Sequence, residues 1–234
     1  MKRLRAIGDW IAFWDSKHSI YVSARHRDLH YYAVARGIRA HVRYGARVLD
    51  YGCGEALHAD HLAAWARRLT LCEAAPAVRA ELARRFAATN IEVHSPEEIA
   101  ALPADSFDVV VLHSVAQYLT PQELDALFAT FHRLLGRNGL LVLGDIIPPH
   151  VSAATDAVAL LRFAARHGFF GAAVVGLART LVSDYWRLRS RLGLTRYSAE
   201  AIMLKLAGAG FYTHQASTNI GHNPARMTFL ARRY

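Results

Sequence analysis

Cysteine is nearly missing from this chain. Cys53 and Cys72 are the two it has, and no CxxC spacing occurs. That excludes a disulfide framework and makes a reducing cytoplasm the expected compartment. Long apolar runs are missing too. The longest nearly uncharged one, Gly168 to Ala178, is too short to cross a bilayer. The opening segment MKRLRAIGDWIAFWDSKHS starts basic but has no extended apolar stretch and no small-residue cleavage site. It also carries Asp9 and Asp15, so no signal peptide is expected. Internal repeats and low-complexity linkers are absent. Lysine is scarce: of 28 basic residues only Lys2, Lys17 and Lys205 are lysine. With heavy alanine usage, that arginine excess reads as a codon bias. The formal net charge of +9 is therefore a weak guide to a nucleic-acid partner.

What remains is a foldable composition. The 234 residues are 53% hydrophobic and 20% charged, enough for one domain with a sizeable core and incompatible with global disorder. Charge is unevenly placed. Residues 1–47 hold 10 basic and 3 acidic groups, and residues 48–150 hold 7 and 13. Residues 151–196 hold 7 and 2, and residues 197–234 hold 4 and 1.

Periodicity predicts a helical, aromatic-rich segment over 1–46, with Trp10, Phe13, Trp14, Leu29, Tyr32 and Ile38 at helical spacing. Strands are predicted at 47–51, 69–73, 91–94, 107–113, 139–147, 211–217 and 227–233. The run Phe107–His113 is almost continuously apolar, as a strand buried on both faces should be. Helices are predicted over 55–68, 76–88 (with Pro76 in its first turn), 121–135 and 198–208. Thr120 and Ser198 are the predicted N-caps and Gly136 a helix stop. Residues 95–106 read as a loop with one helical turn, and 151–191 as a long helical stretch after Pro148-Pro149. Strands alternating with helices, then a two-strand ribbon, predict a doubly wound α/β sheet with its ligand beyond the carboxyl ends of the strands.

The strongest local signal is Val48-Leu49-Asp50-Tyr51-Gly52-Cys53-Gly54. A strand runs into a tight glycine turn, where the backbone can approach a ligand closely. Glu73 ends the next predicted strand, where a carboxylate can accept two hydrogen bonds from a ribose diol. A nicotinamide GxGxxG fingerprint would need glycine at 57, which is Leu57.

These residues resemble the class I S-adenosylmethionine-dependent methyltransferases, in particular the group acting on small molecules and lipids. The resemblance covers residues 46–147 well and 198–234 loosely. It includes Leu102-Pro103-Ala104-Asp105-Ser106-Phe107-Asp108, His113 through Leu119, and the Arg133–Leu143 passage. It implies a seven-stranded Rossmann-like sheet with the last strand antiparallel. The implied organisation is a helical lid (1–46), a cofactor core (47–150), an acceptor-side insertion (151–196) and a closing helix and ribbon (197–234), all one domain. S-adenosyl-L-methionine is the implied cofactor, held by Asp50, Gly52, Cys53, Gly54, Glu73, Ala74, Ser95, His113 and Ser114. Ala56 stands where the family has a third glycine. The loop after the third strand, His94-Ser95-Pro96-Glu97, lacks the family's adenine-reading Asp.

Methyl transfer needs a base only when the acceptor must lose a proton. His113 and His222 are the candidates, with Tyr118, Tyr185 and Asn223 as acceptor contacts. Arg187 and Arg189 suit an acidic acceptor, and Trp14, Tyr21, Tyr31 and Tyr32 suit a lid. The Asn/Asp-Pro-Pro-aromatic tetrad of base and amide methyltransferases is replaced by His113-Ser114-Val115-Ala116, which argues against nucleic acid. The expected acceptor is a small or lipid-like molecule, anionic given the basic flanks, with oxygen favoured as target atom. A non-catalytic cofactor-binding scaffold is the alternative. Residues 157–191 leave three options open: a lid, a homodimer face, or peripheral contact with the inner face of a membrane. His18, His26 and His30, and the pair His58 and His61, read as solvated helix faces, and no metal is expected.

Overall fold

The computed structural model describes residues 6–16, 20–180 and 183–233. His18 lies outside the described residues. The seven strands are β1 (Arg47–Tyr51), β2 (Arg68–Cys72), β3 (Ile91–His94), β4 (Phe107–His113), β5 (Leu135–Ile146), β6 (Phe211–Gln215) and β7 (Met227–Arg233). They form one sheet in the order β3-β2-β1-β4-β5-β7-β6. β1 to β5 pair in parallel, and β7 runs antiparallel to both β5 and β6. The predicted topology is therefore the observed one, and its switch point lies between β1 and β4.

Helices cover both faces. α2 (Ala24–Arg39), α3 (Ala59–Ala63) and α4 (Pro76–Phe86) pack on one side, where Ile38, Val48, Leu62, Leu69, Leu82, Val109 and Val111 are buried. α5 (Pro96–Ala101), α6 (Pro121–Leu134) and α10 (Ala199–Gly208) pack on the other, over Ile99, Val110, Leu112, Phe128, Phe131, Ile202 and Phe229. β4 supplies alternate residues to each core, which is why its sequence is apolar throughout. α1 (Ala6–Trp14), α7 (Ala153–His167), α8 (Phe170–Thr180) and α9 (Asp184–Leu192) lie beyond the carboxyl ends of the strands.

Four expectations need correction. The helix predicted over 55–68 shrinks to Ala59–Ala63. Ala56 is left-handed (φ 42°), and Arg85 Nη2 donates to the carbonyls of Glu55 (2.5 Å) and Ala56 (2.9 Å), the acceptors that a helix starting at 55 would use. Gly136 is not a helix stop. β5 begins directly at Leu135, pairs with Phe107, and slips register before Leu140 meets Val109; Asn138 at φ 63° makes the turn. The loop after β3 contains a true helix, capped by a reciprocal Ser95–Glu98 box. The long helical stretch over 151–191 breaks into three, at left-handed Gly168 and before the N-cap Ser183.

Candidate active site

One cavity of about 1610 Å³ lies over the carboxyl ends of β1, β2, β4 and β5. That exceeds the roughly 300–1,000 Å³ of a typical small-molecule pocket, so it has room for two molecules side by side. The glycine turn lines one end. Gly52 and Gly54 are left-handed (φ 76° and 57°), and a Cβ on Gly52 would run into Val115 Cγ2. Ala56, where the family prefers glycine, is also left-handed at φ 42° and buried. It holds that conformation against its own Cβ.

Glu73 follows β2 and is buried. One carboxylate oxygen accepts from Gly54 N and the other from Ala75 N (both 2.9 Å), which fixes the carboxylate plane toward the cavity. Burial raises the Glu73 pKa, and these backbone donors oppose the shift. Burial, with Glu73 nearby, pushes Asp50 up to about 7. Ala74, Ala77, Val78, Pro96 and Glu97 wall the space beside Glu73. Ser95 does not line it. Its hydroxyl accepts from Glu98 N in the cap, so Glu97 is the polar side chain this loop offers. The S-x-x-E spacing was the available sign that Ser95 and Glu98 serve the helix.

The aromatics expected to suit a lid divide into two groups. Trp14, Tyr21 and Tyr31 line the cavity, whereas Tyr32 turns outward against His58 and His61. Asp15 accepts from Ala77 N in the first turn of α4, where a carboxylate complements the helix dipole.

The other end is polar and densely paired. Ser114 and Asp145, at the ends of β4 and β5, are both left-handed (φ 57° and 64°), and Ser114 Oγ donates to Asp145 Oδ2 at 2.6 Å. Strained non-glycine residues placed together are a mark of function. Arg226 bridges Asp145 (2.6 Å) and Asp156 of α7 (3.0 Å). Asn223 Nδ2 donates to Asp156 at 2.8 Å, and Arg189 reaches the same carboxylate at 3.4 Å. Burial opposes the Asp145 charge, but Arg226 and the Ser114 hydroxyl hold its pKa below the usual range.

Of the candidate bases, His113 uses Nε2 on the Ile220 carbonyl (3.0 Å), tying β4 to the segment before β7. His222 lines the cavity and stacks on Phe163 at 5.0 Å. His26 and His30 are not solvated, contrary to expectation. Both line the cavity, 5.8 and 5.9 Å from the His222 ring by centroid. Burial pushes them down to about 4 and about 3, so both are neutral at pH 7. Tyr118 and Tyr185 line the cavity beside Trp10 of α1. Arg187 instead pairs with Asp184 on the surface. Away from the polar end, Asp60 joins His58 and His61 in a partly exposed group, and Asp28 already hydrogen-bonds His58 at 2.9 Å.

Of these residues, Asp145, Asp156 and Arg226 escaped sequence reasoning and sit in no local pattern, Glu97 was passed over within its loop, and His26 and His30 were misread from their i, i+4 spacing.

The glycine turn, the acid after β2 and the antiparallel seventh strand define a class of enzyme fold. A family model described as "Methyltransferase domain" matches residues 49–143. Residues 49–143 thus match a methyltransferase domain, and the sheet around them is the fold of the class I methyltransferases, whose methyl donor is S-adenosylmethionine. Among solved structures it is similar to the N-methyltransferase NodS from Bradyrhizobium japonicum WM9, in complex with S-adenosyl-L-homocysteine. That match has 15% identity and TM-score 0.59, and covers 97% of each chain. It is also similar to an S-adenosylmethionine-dependent methyltransferase from Mesorhizobium loti, with 16% identity and TM-score 0.56, covering 86% of this chain and 98% of that one. No curated protein matches.

Proposed function

We propose that this protein transfers a methyl group from S-adenosylmethionine to an oxygen of a small, largely apolar, lipid-like acceptor. The carrying observation is one continuous cavity with the glycine turn and Glu73 at one end and a polar, histidine-rich wall at the other. When bound, the cofactor supplies an electrophilic methyl on a sulfonium. Glu73 would hold the ribose diol. Ala74, Val78 and Pro96 would flank the adenine, with Glu97 taking its amine. Gly52, Cys53, Gly54, Asp50 and Ser114 would receive the methionine half. The protein's own task is alignment and exclusion of water, which together can contribute about 7–11 kcal/mol to such displacements. The lid residues Trp14, Tyr21 and Tyr31 serve that exclusion.

The lipid-like acceptor is supported by the outer face of α8. Phe170, Val174 and Val175 are about half exposed there. Arg162, Arg166 and Arg179 are exposed on α7 and α8, and Leu177 and Ala178 line the cavity. Among the described residues no helix is long and apolar enough to cross a membrane. Docking on the inner face of an anionic membrane from the cytoplasm fits this pattern.

Glu73→Ala tests the cofactor assignment. Loss of two charge-assisted hydrogen bonds should weaken S-adenosylhomocysteine binding about a hundredfold in calorimetric titration, with the fold intact by circular dichroism. Unchanged affinity would remove Glu73 from the site. Labelled cofactor incubated with a metabolite extract should yield a labelled organic-soluble product. Tight cofactor binding with no product from any pool would favour the scaffold reading.

A further inference from the structure

His26 is 5% exposed, and its Nε2 is buried with no hydrogen-bond partner. Its other nitrogen, Nδ1, accepts from Val22 N at 3.4 Å. That assigns the proton to Nε2, leaving a buried N–H donor in the wall of the cavity. An unmet donor in a buried site costs about 1–3 kcal/mol. It is tolerated where a ligand completes it.

The surroundings narrow that ligand. His26 stacks on Phe169 (5.4 Å, 22°) and His222 on Phe163 (5.0 Å, 29°), with Tyr21 5.5 Å from His26. Each imidazole thus rests one face on a phenylalanine, while Trp10, Trp14, Tyr21, Tyr31 and Tyr118 line the same cavity, and those rings suit an aromatic ligand. His30 faces His26, His222, His113 and Asp145 across the same space, beyond the ends of β4 and β5. The charged groups around it come from β5 (Asp145), α7 (Asp156), α9 (Arg189) and the segment before β7 (Arg226), and they pair with one another.

We propose that His26 and His222 form the oxygen site for the acceptor, and that the acceptor is a phenol on an otherwise apolar molecule. His26 Nε2–H donates to the phenolic oxygen, and the His222 imidazole accepts its proton. The inference rests on the methyl-transfer reading and specifies its acceptor. His222 is the better base of the cluster. Burial, Arg226 and His113 lower its affinity for a proton while Asp145 and Asp156 oppose them, whereas burial takes His30 down to about 3. A weak imidazole base matches a phenol, ordinarily near pKa 10, far better than an aliphatic alcohol. In the balanced step the O–H bond breaks toward His222 as the oxygen–methyl bond forms, and the methyl–sulfur bond breaks with its electron pair left on sulfur. His222 then returns the proton to solvent.

The test uses 4-nitrophenol and nitrobenzene, titrated calorimetrically into protein saturated with S-adenosylhomocysteine. Wild type should bind the phenol about tenfold more tightly than the ring without a hydroxyl. His26→Leu and His222→Leu should each abolish that preference without changing cofactor affinity. His26→Gln, which keeps an N–H donor, should restore most of it. Equal binding of the two probes by wild type, or a preference untouched in both leucine variants, would overturn the proposal and leave the methyl-transfer reading standing. Failure of S-adenosylhomocysteine to bind wild type would remove the reading beneath it. If a leucine variant does not fold, the wild-type probe comparison and His26→Gln still decide.

Discussion

The two ends of the cavity are built on different plans. The cofactor end is local in sequence: a glycine turn, and an acid after the next strand whose oxygens are fixed by backbone N–H groups. It belongs to the acidic part of the chain. The polar end draws one to three side chains each from α2, β4, β5, α7, α9 and the segment before β7, and holds the charged ones by ion pairs between elements. Backbone geometry makes the first end; side-chain pairing makes the second. The first should therefore be sensitive to conformation, and the second to charge.

The largest expected effect follows from Arg226. Its side chain is 14% exposed and bridges Asp145 and Asp156, themselves 12% and 20% exposed. Arg226→Ala leaves two carboxylates without their shared partner and should destabilise the fold by roughly 3–5 kcal/mol in urea denaturation. A loss below about 1 kcal/mol would break the contrast, since it would mean water already holds that end together.

Acid should divide the ends by sign. His26 and His30 are depressed to about 4 and about 3 from a usual 6.5, so the unfolded chain binds more protons below pH 6.5. Their contribution to stability is complete above that value and is lost as pH falls through 4 and 3. Asp50, raised to about 7, acts the other way: it favours the folded chain at low pH and weakens it as pH rises from about 4 to 7. In Asp50→Asn the opposing slope is gone. The melting temperature of the cofactor-free protein should then drop more steeply between pH 7 and pH 5 than in wild type. Parallel melting curves for the two proteins would show that Asp50 stays charged in the folded chain across that window, with no raised pKa.

The smallest effect concerns conformation alone. Ala56→Gly relieves a left-handed alanine at φ 42° and should stabilise the protein by up to about 1 kcal/mol, part of the gain being offset by glycine's freedom when unfolded. A destabilised variant would mean that the buried methyl of Ala56 contributes more packing than its backbone costs.

The same contrast explains what the sequence disclosed. The order of strands and the residues Gly52, Gly54 and Glu73 were legible because each follows from a pattern a few residues long. His26 and His30 were misread because i, i+4 spacing says that two residues share a helix face, not what covers that face. Here Phe163, Phe169 and His222 cover it, and they come from segments more than 130 residues further on. Asp145, Asp156 and Arg226 have no motif at all. Their meaning is their mutual distance, which exists only once β5, α7 and the approach to β7 are assembled. The lost helix at 55–58 had the same cause, since the guanidinium of Arg85, from α4, claims the carbonyls of Glu55 and Ala56.

The strand order carries a consequence for biosynthesis. β7 lies between β5 and β6 although it leaves the ribosome after both. Until residues 227–233 emerge, β5 presents an open edge and β6 has no neighbour to join. The segment that closes this gap also delivers His222, Asn223 and Arg226. A nascent chain therefore acquires its glycine-turn end early and its polar wall last, and a chain stalled before β7 would expose an apolar sheet edge to aggregation.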